Sequence, residues 1–227
     1  GTTFAMVSPI FNIKDIKVLN NEKIASDTII SLSGLTSSQN IFRFSNLQVE
    51  NKIKENPYIE DVKINRKLPS TIEIEVTERK HDYSVSFMGK YAYINNQGYI
   101  LEISDDSQGK VIIYGTTTSE EEITPGKRLN EEDLEKMTDV IRITDIATEN
   151  NLIDKVTSID ISNKNDYIIY MESEQKNIHI GDISNISNKM LYIIAILEQE
   201  KGKSGDIFVN GDLNNDFRPY FREKLTT

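Results

Sequence analysis

Residues 56–80 read NPYIEDVKINRKLPSTIEIEVTERK, and their punctuation organises everything before and after them. Proline forces the residue before it out of the helical region, so a helix arriving at Asn56-Pro57 must stop there. Val62 and Ile64 then alternate with Lys63 and Asn65, the period of a half-buried strand. The run Arg66-Lys67-Leu68-Pro69-Ser70 breaks that period. Ile72, Ile74 and Val76 resume it against Thr71, Glu73, Glu75 and Thr77. Two strands joined by a polar, proline-containing turn form a hairpin with a β-branched inner face and a charged outer one.

Upstream, residues 11–18 alternate as a strand with one slip at Asp15. A helix follows, with Ser26 as the expected cap, Ile29 and Ile30 on its apolar side and Gly34 near its end. Ser45 with Gln48 three residues on forms a capping box for a second helix, which carries Leu47 and Ile53 and is stopped by Asn56-Pro57. The order strand, helix, helix, strand, strand places two helices on one face of a small sheet.

This stretch resembles the POTRA domain of the bacterial division proteins FtsQ and DivIB. The resemblance rests on the "NP" stop, the basic R-K-L-P tip, the strand T-I-E-I-E-V and the closing T-E-R. It extends downstream. Tyr91-x-Tyr-Ile-Asn-Asn-x-Gly98-x-Ile-Leu is similar to the family's hairpin, with Asn95 and Asn96 where an aspartate is more usual. Gly181 and Lys189 are similar to its strand-to-helix junction. Gly205-Asp206-Ile207 is similar to its G-x-I-D strand, with Phe208 in place of the last aspartate.

Composition bounds the function classes. The 227 residues carry 26 Lys and Arg against 36 Asp and Glu, a net charge of −10. A chain this acidic lacks the electrostatic footprint of a nucleic-acid binder and is repelled by an anionic membrane surface. With no cysteine, disulfides, Cys-based zinc sites and thiol chemistry are excluded. No apolar run reaches the roughly eighteen residues that a membrane-crossing helix needs. The opening Gly1-Thr2-Thr3-Phe4-Ala5-Met6-Val7 is neither a basic leader nor a methionine start. We therefore expect a piece of a longer protein whose upstream targeting or membrane segment this sequence lacks; the resemblance implies that it is membrane-anchored through that segment.

After Arg79 the texture changes to short strands: residues 91–94 and 99–103 around Asn95-Asn96-Gln97-Gly98, then 111–114. Asn130 caps a helix with Leu134, Met137 and Ile141 on one side. Residues 156–161, 167–171 and 178–181 are strand candidates. A last helix carries Ile186, Met190, Ile193, Ile194 and Leu197 at spacings of three and four. Residues 207–209 and 217–221 supply the final strands. The boundary is expected within residues 79–82, without a flexible linker.

Chemistry-bearing patterns are scarce. His81 and His179 lack metal-site spacing, and no nucleophile elbow, Walker loop or dinucleotide fingerprint is present. Asp105-Asp106 and Glu120-Glu121-Glu122 lie in loops without an apolar pocket to shift a pKa, so they read as solvated. Asp212-Leu213-Asn214-Asn215-Asp216 has the spacing of a calcium loop, but Phe217 stands where that loop requires glycine; a polar turn between strands is expected instead. We expect no catalytic residue, no metal and no cofactor.

Surface remains. Phe217-Arg218-Pro219-Tyr220-Phe221 concentrates residue types enriched in interface hot spots, and its proline suits an edge strand. Tyr220 and Phe221 either close the local core or offer an edge for strand addition. The resemblance implies the second. It implies an α+β protein with a POTRA domain at residues 10–80 and a mixed β domain with two helices at residues 81–225. It also implies a non-catalytic division scaffold outside the cytoplasmic membrane at the septum, which helps control cell-wall synthesis. FtsB/DivIC-like and FtsL-like proteins would bind through Arg218, Tyr220 and Phe221, beside the strand of Ile207 and Val209. The edge carrying Ile59, Val62 and Ile64 is a second docking candidate. A POTRA-bearing outer-membrane assembly factor would require a barrel that this chain is too short to supply. A secreted enzyme or wall-polymer-binding module stays open as the alternative.

Overall fold

A computed structural model describes residue 2 and residues 6–225. Four of the first five residues, on which the expectation of an upstream segment partly rests, lie outside the described residues, as do the last two. The chain divides after Lys80 into two compact units. Among the described residues no helix is long and apolar enough to cross a membrane.

The first unit is built on the hairpin, β2 (Ile59–Lys67) and β3 (Thr71–Glu78), with β1 (Asp15–Leu19) running parallel to β3 in the order β1-β3-β2. Helices α1 (Ser26–Ser33) and α2 (Asn46–Ile53) pack against β1 and β2 respectively and against each other. Ile29, Val49 and Ile53 from the helices meet Val62, Ile64, Ile72, Ile74 and Val76 from the hairpin in one core. The opposite face pairs charges in register, Lys17 beside Glu73 and Lys63 beside Glu75, as a solvated sheet face favours.

The caps follow the sequence in part. Ser45 accepts a hydrogen bond from the Gln48 N–H, and Gly34 closes α1 in the left-handed region, where only glycine is unstrained. Ser26, expected as a cap, is instead the first helical residue; Ala25 precedes it, and the Ser26 hydroxyl accepts from the Asn21 amide. The first strand starts later than its alternation predicts, because Pro9–Phe11 forms a 3-10 turn. Arg66, in the basic tip, turns inward: it donates to Ile41 O, Phe44 O and Asn46 Oδ1 at 2.7, 2.9 and 2.6 Å, and lies over the Phe44 ring. A planar guanidinium thereby pins the connection between the helices.

The second unit holds one nine-stranded sheet. Its strands are β4 (Tyr83–Phe87), β5 (Lys90–Ile94), β6 (Ile100–Ser104), β7 (Val111–Tyr114), β8 (Ser158–Asp160), β9 (Tyr167–Met171), β10 (Lys176–Gly181), β11 (Gly205–Phe208) and β12 (Tyr220–Glu223), in the order β12-β11-β10-β9-β8-β7-β4-β5-β6. Parallel neighbours need a long crossover, and two of the parallel pairs are joined by helices: α3 (Glu131–Glu149) between β7 and β8, and α4 (Ile186–Gln199) between β10 and β11. Both helices bury apolar stripes in one core with the strands, Met137, Val140, Ile143 and Ala147 from α3 and Ile186, Met190, Ile193 and Leu197 from α4. Of the α3 residues expected on that side, Leu134 and Ile141 are only partly buried.

β4 falls where the sequence reading placed no strand. The last strand begins after Pro219 rather than at Phe217, since proline can neither donate to the ladder nor continue it. The first turn of α3 carries a buried acid. Asn130 caps the helix through Asp133 N–H, and the Asp133 carboxylate accepts from both the N–H and the hydroxyl of Thr117 and of Thr118. This closes the loop after β7 onto the helix.

Candidate partner-docking edge

The two edges of the nine-stranded sheet differ. At β6 the segment before α3 folds back, with Ile100 N–H donating to Lys127 O and Gly126 N–H to Ile100 O, each at 2.8 Å. At β12, among the described residues, only β11 pairs, with Gly205, Asp206, Ile207 and Phe208 opposite Glu223, Arg222, Phe221 and Tyr220. Lys224 donates its N–H to Ser204 O at 2.7 Å. Antiparallel ladders alternate, so Tyr220 and Arg222 also direct their backbone groups at β11, and those of Phe221 and Glu223 point outward. A short edge strand with outward N–H and C=O groups is a template for another strand.

Alternation also sorts the side chains. Ile178, Ile207 and Phe221 are aligned across β10, β11 and β12 and face the helices. His179, Phe208 and Tyr220 are aligned one residue on and face away from them. Their rings stack, His179 on Phe208 at 4.5 Å and Phe208 on Tyr220 at 4.7 Å between centroids. The Arg222 guanidinium lies 4.8 Å from the Phe208 ring centre, and Phe217 tilts against Tyr220. Tyr220 is the outermost ring of the stack, next to the open edge, and remains 48% exposed. On the same face a groove of about 530 Å³ runs past Tyr170, Asn177, Asp206 and Lys224.

Of the residues expected to contact partners, the structure brings Tyr220 and Phe221 onto the edge strand, Tyr220 outward and Phe221 against the core. Arg218 is exposed just before it. Ile207 and Val209 are fully buried, so β11 supports the edge without presenting these side chains. On the other candidate edge, β2 is indeed an outer strand, but Ile59, Val62 and Ile64 face the core of the first unit. Phe208, His179 and Arg222 were not expected at the docking edge from sequence; His179 meets Phe208 through the parallel β10–β11 register and Arg222 joins them through the antiparallel β11–β12 register, which no local pattern reveals.

Asp212 accepts from Asn214 N–H and the Asn215 amide, which makes residues 212–216 a turn. Among the described residues no group of three or more His, Asp or Glu could hold a metal ion. A groove of about 440 Å³ is lined by Asp82, Tyr83, Lys110, Asp145 and Asp154 among others. Within it the Tyr83 hydroxyl meets Thr144 Oγ1 at 2.8 Å, and burial raises its pKa. That suits a retained proton in a hydrogen bond rather than a nucleophile at neutral pH.

Comparison with known proteins finds relatives for both units of the chain. A family model described as POTRA domain, FtsQ-type matches residues 11–79, and one described as FtsQ/DivIB, C-terminal related matches residues 84–205. Cell division protein DivIB of Clostridium acetobutylicum is 31% identical over 203 residues, covering 88% of this chain and 78% of that protein. DivIB of Clostridium tetani is 27% identical over 199 residues, with 88% and 74% covered. Cell division protein FtsQ of Corynebacterium glutamicum is 25% identical over 194 residues, with 85% and 81% covered.

Proposed function

Because the chain belongs to the FtsQ/DivIB family of cell division proteins, we propose that it is a non-catalytic scaffold of the division machinery. In this reading residues 10–80 are the POTRA domain and residues 81–225 the β domain. The β domain holds FtsB/DivIC-like and FtsL-like proteins outside the cytoplasmic membrane at the septum. By holding them it helps control cell-wall synthesis that other proteins carry out.

The observation that supports this most is the combination at β12 of an outward backbone edge and an exposed ring backed by a stack three strands deep. Main-chain bonds from an added strand would supply affinity, and side chains meeting Tyr220 and Arg218 would supply register. The chain carries a net charge of −10, yet Arg218, Arg222 and Lys224 cluster at this edge and are all exposed.

Tyr220→Ala tests the reading. Removing the outermost ring leaves the core-facing Phe221 in place, so folding should change little. Affinity for the purified extracytoplasmic segments of FtsB/DivIC-like and FtsL-like partners should fall by about 2 kcal/mol, roughly thirtyfold in Kd. Calorimetric titration reads it. An unchanged affinity would move the contact to another surface, the β2 edge first.

A further inference from the structure

Lys176 is fully buried on β10. It faces the helices in the same row as Ile178 and Ile180, where an apolar residue is the ordinary choice. Its ammonium donates to three backbone carbonyls from three separate segments. These are Glu174 at 2.9 Å in the turn before β10, Glu200 at 3.1 Å at the end of α4, and Lys203 in the lead into β11. Unpaired carbonyls collect negative partial charge at a helix C-terminus, which makes that end a favourable place for a cation.

Directly across the ladder from Lys176 stands Gly205, and across from Gly205 stands Glu223. The missing side chain at Gly205 leaves its place to the ring of Phe221, whose edge approaches within 2.9 Å of where a Cβ would sit. The Phe221 ring centre is 5.4 Å from the Lys176 ammonium. One buried cation thus touches the end of α4, the start of β11 and the core-facing ring of β12. Burial lowers the Lys176 pKa, so the contact is maintained against a desolvation cost.

We propose that Lys176 is a positioning residue for the docking strand: its ammonium fixes the α4–β11 junction beneath Phe221 and thereby sets how firmly β12 is held for a partner. This rests on the docking role proposed for β12. A buried cation contributes geometry where an apolar side chain of similar size would contribute comparable stability.

The test is Lys176→Met in the 227-residue chain, read by amide hydrogen exchange without partner and by titration with the FtsB/DivIC-like and FtsL-like segments. The expected result is retained folding, exchange at residues 205–208 and 220–223 faster by about tenfold or more while β8 and β9 hold their protection, and affinity weaker by about tenfold. Exchange that is unchanged, or faster throughout the second unit, overturns the proposal. So does selective loosening that leaves affinity intact. Should Lys176→Met fail to fold, Phe221→Leu keeps the apolar filling and removes the ring from the cation; local loosening of β12 then supports the proposal, and none overturns it. A wild-type chain that binds neither segment removes the docking reading but leaves the exchange result to judge the positioning role alone.

Discussion

Gly205→Val is expected to abolish docking at the last strand. A Cβ at Gly205 would lie 2.2 Å from the Arg222 carbonyl oxygen and 2.9 Å from two atoms of the Phe221 ring. The first contact is with backbone, which no rotamer change relieves. β11 and β12 must therefore part, and β12 is held by four residue pairs and the Lys224–Ser204 bond just beyond them. Valine adds two further methyl groups to the clash. The strand loses its ladder, Phe221 leaves the core, and the stack loses Tyr220. Overpacking of this kind costs about 1–3 kcal/mol in stability. Because the edge itself is dismantled, the expected loss of affinity is larger than for Tyr220→Ala, about a hundredfold or more in Kd, or at least about 2.7 kcal/mol. Titration of the folded variant with the partner segments measures it. Affinity within about threefold of the wild type would mean that β12 is not the contact.

The second large effect is one of stability. Asp133 is fully buried, and its carboxylate serves the N–H and hydroxyl groups of both Thr117 and Thr118. Asp133→Ala strands the N–H and hydroxyl of the buried Thr118, while the N–H and hydroxyl of the exposed Thr117 can turn to water. Each unsatisfied buried donor costs about 1–3 kcal/mol, so a total loss of about 3–4 kcal/mol is expected. For a unit of this size that corresponds to a fall of about 10 °C in its melting temperature. Scanning calorimetry reads it. A loss below about 1 kcal/mol would show that the loop finds other acceptors. Asp133→Asn should fall between the two, since an amide retains one of the two accepting oxygens.

The residues that announced the fold are those whose effect is local. Asn56-Pro57, the β-branched alternation of 72–76, the caps Ser45 and Asn130 and the left-handed Gly34 act over one turn of chain, so they are legible without the tertiary structure. β4 carried a signal as well, Tyr83, Val85 and Phe87 alternating with Ser84 and Ser86, but the charged residues 79–82 before it read as a connection. What stayed hidden is what distant pairing creates. Asp133 looks like the third acid of a solvated helix start until the loop of Thr117 and Thr118 is laid on it. Lys176 looks like a turn lysine until α4 returns above it. At the docking edge, Tyr220 and Phe221 were visible as aromatics near a proline, but which of them faces outward depends on a register with β11. Together with the β10–β11 register it makes Phe208 and His179 the support beneath Tyr220, while Ile207 and Val209 fall into the core.

The most direct measurement is residue-resolved amide exchange of the wild-type chain with and without the partner segments. If a partner adds a strand to β12, the outward N–H groups of Phe221 and Glu223 gain protection on binding, while Tyr220 and Arg222, already directed at β11, change far less. New protection confined to β2, or binding that leaves Phe221 and Glu223 exchanging as in the free chain, would contradict the account.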